Sequence, residues 1–171
     1  ALISVGISGF IRTGTQIYVD VTERDQLLSE SRFIVQRLNR EVKGALPNSL
    51  RVASNVANTI QCLEFVPVEW SSFYFDVPVA PEPADDEIKV VAIDNTIDPY
   101  TFVNGDSVVV YPTEPDDIYG SASKRFLLDS APAVDPADSK KQILTLANDS
   151  QFATDSPRSR AYIVRSPVSY C

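Results

Sequence analysis

Residues 16–47 limit what this chain can become. Apolar side chains fall at Ile17, Val21, Leu28, Val35, Leu38, Val42 and Ala45, in steps of three, four or seven, with Leu27 and Ile34 widening the same face. That is the period of an amphipathic helix, not of a strand. The other faces are polar, and their charges are sorted along the axis. Asp20, Glu23, Asp25 and Glu30 come first; Arg32, Arg37, Arg40 and Lys43 come last. Both placements oppose the helix dipole, by about 0.3–1 kcal/mol for a charge in a terminal turn. Gly44 is a candidate C-cap, and Pro47 cannot continue a helix. The pattern predicts one helix over 16–45, with Leu28, Val35, Leu38 and Val42 packed against a sheet.

After Pro47 the period changes. Short β-type runs occur at 50–52, 59–68, 70–79, 87–93, 107–111, 126–128, 142–146 and 160–164, separated by loops rich in Pro and acid. In the run 70–79, Phe73, Phe75, Val77 and Val79 alternate with Tyr74, Asp76 and Pro78, which predicts the first set inward. No second helical pattern separates the strands, so they pair antiparallel rather than through βαβ units. The sequence therefore predicts an α+β fold: one long N-terminal helix packed on an antiparallel β-sheet with long loops, the β-rich body spanning 50–171.

Residues 1–11 are apolar and uncharged, but too few to cross a bilayer, which takes about 20. They run straight into the amphipathic helix. We read 1–15 as the end of a hydrophobic helix whose first half lies upstream, with Arg12 where the polar region starts. Gly6, Gly9 and Gly14 are expected to weaken or kink that junction. The chain has no methionine, which points to processing or trimming.

Composition narrows the chemistry. There is no histidine, the commonest general base and metal ligand. A net charge of −8 repels phosphate backbones and disfavours nucleic acid. No Gly-x-Ser-x-Gly elbow and no phosphate-cradling glycine loop is present. Asp85-Asp86-Glu87 and Asp116-Asp117 are carboxylate clusters, but they lack the alternate acids, glycine and distal glutamate of a calcium loop, so calcium is disfavoured. Trp70, Phe73, Tyr74 and Phe75 offer a stacking platform for a sugar, but we favour the alternating aromatics of a core. Cys62 and Cys171 fit neither zinc nor redox spacing; they are either free thiols or one disulfide, and we favour the disulfide. No catalytic, cofactor or metal residue is assigned, and the sequence predicts a non-enzyme.

A resemblance gives these features a direction. The run 31–42 (SRFIVQRLNREV), followed by 45–52 (ALPNSLRV), looks like the post-helix signature of type IV pilin-like proteins. The second piece is most similar to the MshO family of minor pilin-like proteins of mannose-sensitive haemagglutinin (MSHA) pilus biogenesis, as is the ending 166–171 (SPVSYC). The middle of the chain matches no motif of that family. The resemblance implies a structural subunit of a type IV pilus, anchored in the inner membrane by the hydrophobic helix, with a periplasmic domain that later reaches the cell surface. Its implied partners are other pilin and minor pilin subunits, met through the N-terminal helix. The family's Phe-Thr-Leu-Ile-Glu start is not in this sequence, so its processing site is not carried over. The family continues past the segment matching Cys171, so that cysteine's partner is not fixed by the resemblance. The alternatives are a minor pseudopilin of type II secretion, or a secreted adhesin-like domain binding carbohydrate or calcium.

Overall fold

The computed structural model describes residues 2–92, 100–120 and 124–171, with side chains of the N-terminal helix described from residue 14 onward. The end of the strand expected at 87–93, most of the following loop with Pro99, residues 121–123 and the apolar side chains of 1–11 lie outside the described residues. The chain forms two compact units, Ala1–Lys43 and Gly44–Cys171.

The first unit is a single helix, α1, Leu2–Lys43. It runs unbroken through Gly6, Gly9 and Gly14, where the sequence predicted weakening or a kink. It ends where expected, at Lys43, with Arg40 and Lys43 in the last turn. On its surface Arg37 pairs with Glu41 at 2.9 Å and Gln26 donates to Glu30 at 3.1 Å, both one turn apart.

The second unit opens with a lock. Pro47 and Asn48 occupy the corners of a turn closed by the Ser49 N–H on the Leu46 carbonyl at 3.1 Å. Proline sets φ at the first corner, and Asn48, at φ 61°, takes the left-handed second corner that asparagine tolerates. The turn buries Leu46 and Ser49 completely. The Leu46 N–H donates to the Val66 carbonyl, and the Ser49 hydroxyl accepts the Val66 N–H. The Ser49 carbonyl accepts the Tyr119 hydroxyl at 2.8 Å.

Among the described residues ten strands follow: β1 (Arg51–Ser54), β2 (Gln61–Phe65), β3 (Val68–Asp76), β4 (Asp85–Val91), β5 (Ser107–Val110), β6 (Arg125–Leu127), β7 (Ala133–Asp135), β8 (Asp138–Ser150), β9 (Arg160–Val164) and β10 (Val168–Tyr170), with a four-residue helix α2 (Asp116–Tyr119) before β6. They make two antiparallel sheets, β1-β2-β10 and β6-β5-β9-β3-β4-β8-β7. The α+β class is therefore as read from sequence, but the strands divide between two sheets rather than one.

The centre of the larger sheet is covered on both faces. Val108 lies opposite Ile163 and Val110 opposite Ala161, and all four enter one core with Ile88, Val90, Leu144 and Phe152. Val109 lies opposite Tyr162 and faces the other way, into a smaller core with Leu46, Val66, Ile118 and Val164. The period of two sends alternate residues to opposite faces, so β5 is fully buried although it is only four residues long.

In β3 the expected phase is reversed. Tyr74 is buried, whereas Phe73 and Phe75 are half or more exposed. The ladder with β4 shifts register between Tyr74 and Asp76, and such a bulge flips which residues face the core, so Val77 is again buried. Tyr74 is satisfied inside because its hydroxyl donates to Asp155 and accepts the Ser156 N–H. The outward rings are covered by cations, Arg160 at 5.3 Å from Phe73 and Lys141 at 5.0 Å from Phe75.

Cys62 and Cys171 form a disulfide across 109 residues. It ties β2 to the residue after β10, inside the smaller sheet.

Candidate functional site

The four helix residues assigned to packing behave differently from the expectation. Leu28 and Val35 are each 56% exposed, and only Leu38 and Val42 are half-buried. The apolar period selects a face of the helix, but it does not say what covers that face. From residue 14 to 37 every side chain of α1 is exposed.

This leaves an apolar stripe, interrupted at Arg24 and Ser31 and exposed as far as Val35. Val21, Leu28, Val35 and Val42 recur every seven residues, and Ile17 and Leu38 occupy the intervening positions, with Arg24 and Ser31 between them. Leu27 and Ile34 extend it on one side and are also exposed. From Ile17 to Val42 the stripe is about 38 Å long at 1.5 Å per residue. A seven-residue apolar repeat is the pattern by which one helix seats against another. Water gains nothing from these side chains; covering one fully is worth about 1.5–3 kcal/mol. Scattered apolar residues on a surface need no explanation, but a contiguous stripe marks a contact surface. Among the described residues no helix is long and apolar enough to cross a membrane.

The other constellations read from sequence resolve into structural roles. Asp117 is buried, and its Oδ2 accepts the Lys124 ammonium at 2.8 Å, the Thr113 N–H at 2.7 Å, the Thr113 hydroxyl at 2.8 Å and the Glu114 N–H at 3.1 Å. Burial by itself raises the carboxyl pKa; the Lys124 ammonium and the three donors from Thr113 and Glu114 outweigh it and leave the group at about 2. Its partner in the sequence cluster, Asp116, is exposed. In the other cluster Asp85 accepts the Asp86 N–H on its own Oδ1 at 2.8 Å. Among the described residues no group of three or more acidic or cysteine side chains is placed to hold a metal. Trp70, Phe73, Tyr74 and Phe75 do not form one platform, because β3 sends Tyr74 inward and Phe73 and Phe75 outward.

One network had no sequence signal. Asp106 is buried between β5 and the loop before it, and its carboxylate accepts the Tyr100 hydroxyl at 2.7 Å, the Val103 N–H at 3.0 Å and Arg165 Nε at 3.0 Å. Arg165 also pairs with Glu69 at 2.8 Å and donates to the Thr101 carbonyl. The hydrogen bond to Asp106 raises the Arg165 pKa further above its ordinary value. Desolvation, followed by the Asp106 carboxylate, drives the Tyr100 hydroxyl well above the usual phenol range. Among the described residues no buried side-chain polar atom lacks a partner, and this network holds loop to sheet. These partners are 59 or more residues apart for Asp106–Arg165, beyond the reach of any local pattern.

No protein-family model, curated protein or solved structure matches this chain. Among the described residues the exposed apolar stripe of α1 is the feature on which a functional reading can be built.

Proposed function

We propose that this chain is a minor pilin-like structural subunit that takes part in assembling a type IV, MSHA-type pilus. In this reading a hydrophobic segment continuous with α1 holds the chain at the inner membrane, and the β-body faces the periplasm and later the cell surface. Other pilin and minor pilin subunits are its partners, through helix-to-helix contacts. The subunit is not an enzyme and uses no cofactor. The observation that carries the reading is the uncovered seven-residue stripe on α1. The resemblance of 31–42 and 45–52 to the pilin post-helix signature supports it independently. Within the β-body the turn at Pro47-Asn48 gives that signature a physical task, since it seats Leu46 in the smaller core and Ser49 on the Val66 N–H.

The test uses the full chain with Leu28→Glu and Val35→Glu together. Both positions are exposed, so the β-body should keep its melting temperature. Co-expressed with pilin subunits and cross-linked, the variant should lose incorporation into filaments. Incorporation at the wild-type level, with the stripe charged at two points, would defeat the proposal.

A further inference from the structure

At the end of the larger sheet a cleft of about 280 Å³ is lined by Tyr111, Ser156, Pro157, Arg158, Arg160 and Tyr162. It lies wholly within the β-body and is separate from the α1 stripe. Its contents are unusual for so acidic a chain: two arginines line it and no carboxylate does. The Arg158 side chain has no hydrogen-bond or ion-pair partner among the described residues, and the Arg160 guanidinium is placed only over the Phe73 ring. Asp155 lies next to this loop in the chain; its Oδ1 accepts the Tyr74 hydroxyl, and it does not line the cleft.

The cleft is also rigidly built. Arg160 and Tyr162 sit two residues apart on β9 and so share one face of the sheet. Tyr111 follows the last pair of the β5–β9 ladder, Val110 opposite Ala161, and therefore flanks Arg160. Ser156-Pro157-Arg158-Ser159 is a turn closed by the Ser159 N–H on the Ser156 carbonyl at 2.9 Å. That turn is held from below, since the Tyr74 N–H donates to the Ser159 carbonyl and the Ser156 N–H to the Tyr74 hydroxyl, each at 2.8 Å. Tyr111 and Ser159 both carry left-handed backbone, at φ 48° and 47°. For a bulky aromatic this is an uncommon and costly conformation, of the kind concentrated at binding sites.

We propose that this cleft binds an acidic sugar residue. The carboxylate is taken by Arg158 and Arg160, whose planar guanidinium forks match it. The apolar face of the sugar ring lies on Tyr111 and Tyr162, which present rigid rings at low entropic cost. The cleft is near the lower size limit of small-molecule sites, which suits one sugar unit rather than a longer chain. The site does not depend on the assembly reading, because no residue of α1 enters it.

The experiment is a titration of the full chain with glucuronate, followed by amide NMR shifts. Glucose, acetate and inorganic phosphate serve as separate arms, and Arg158→Gln and Arg160→Gln as variants. Both arginines are exposed, so the variants should keep the wild-type spectrum elsewhere. Saturable shifts are expected at Tyr111, Arg160 and Tyr162, with each variant binding about tenfold more weakly as a charge-assisted pair is lost. Glucose should bind far more weakly because it lacks the charge, and acetate and phosphate because they lack the ring. Four results overturn the proposal: no saturable shift with glucuronate, equal binding of glucose, equal binding of acetate or phosphate, or unchanged affinity in both variants.

Discussion

Along α1, from residue 14 to 37, every side chain is exposed, while the four residues of β5 are all buried. The helix is held by its own backbone hydrogen bonds and a few one-turn pairs such as Arg37–Glu41. The β-body is held by two cores on opposite faces of one sheet and by a covalent cross-link. Pairs of the first kind contribute about 0.2–0.5 kcal/mol each. A buried aliphatic side chain contributes several times that. The contrast teaches where each region's sequence constraint comes from. In the body, a residue is fixed by the side chains it touches. On the helix, a residue is fixed by propensity and by whatever the stripe is meant to meet.

The largest expected effect tests the body's cross-link. Replacing Cys62 and Cys171 by serine should destabilise the body by about 4–5 kcal/mol in the chain-entropy model for a loop of this length. The only tryptophan, Trp70, reports on β3, and helical ellipticity reports mainly on α1, so one urea titration reads both regions. Only the Trp70 transition should move. A matching shift of the helical signal would show that the two regions unfold as one. Next comes a paired truncation. Ile163→Ala should cost about 3 kcal/mol, as buried large-to-small changes do. Leu28→Ala should stay within about 0.5 kcal/mol, as at other exposed positions. Equal costs would mean that the stripe is covered in the isolated chain.

Much of this contrast was legible in the sequence, and the failures have physical causes. The 3.6 period gave α1 and its end, and the β-branched runs gave β5 and β9. The sequence reads 131–141 as a polar loop because β7 is only three residues long and β8 opens with Asp138, Ser139, Lys140 and Lys141, beside the edge strand β7. The tight turn between these two strands is set by Asp135, whose Oδ1 accepts the Ala137 N–H at 2.8 Å. β10 is three residues long and follows Pro167, so it left no periodic trace; pairing with β2 creates it. The inverted phase at Phe73, Tyr74 and Phe75 depends on a bulge and on Asp155, 81 residues away from Tyr74. The cleft by Arg158 and Arg160 had no motif at all. An unusual pair of arginines in an acidic chain was the only sequence signal for it.

Smaller effects sharpen the comparison further. Asp117 ionises at about 2 in the folded body, below its ordinary value of 3.8. A depressed carboxylate stabilises above the unfolded pKa and is lost as pH falls through the folded one. The body should therefore lose about 2 kcal/mol between pH 4 and pH 2 from this group. Urea midpoints at pH 4.5 and 2 should show the loss in the wild type and a smaller one in Asp117→Asn. An identical acid response in the variant would remove Asp117 from the account. The smallest expected effect is at Gly105, which has φ 103° and nothing within 4 Å of where a Cβ would stand. Gly105→Ala should still cost about 1 kcal/mol, because the strain lies in the backbone and not in a clash. A neutral result in the melting curve would show that the turn before β5 relaxes freely.

The disulfide also sets how far the body can lengthen under tension. A force applied between residue 44 and Cys171 meets a covalent bypass at Cys62, and the segment enclosed between the two cysteines carries none of the load. Only residues 44–62 can be drawn out, to about 60 Å at 3.3–3.6 Å per residue, against about 430 Å for the reduced chain. Oxidised, the β-body can lengthen only through the short segment ahead of Cys62, about a seventh of the reach of the reduced chain.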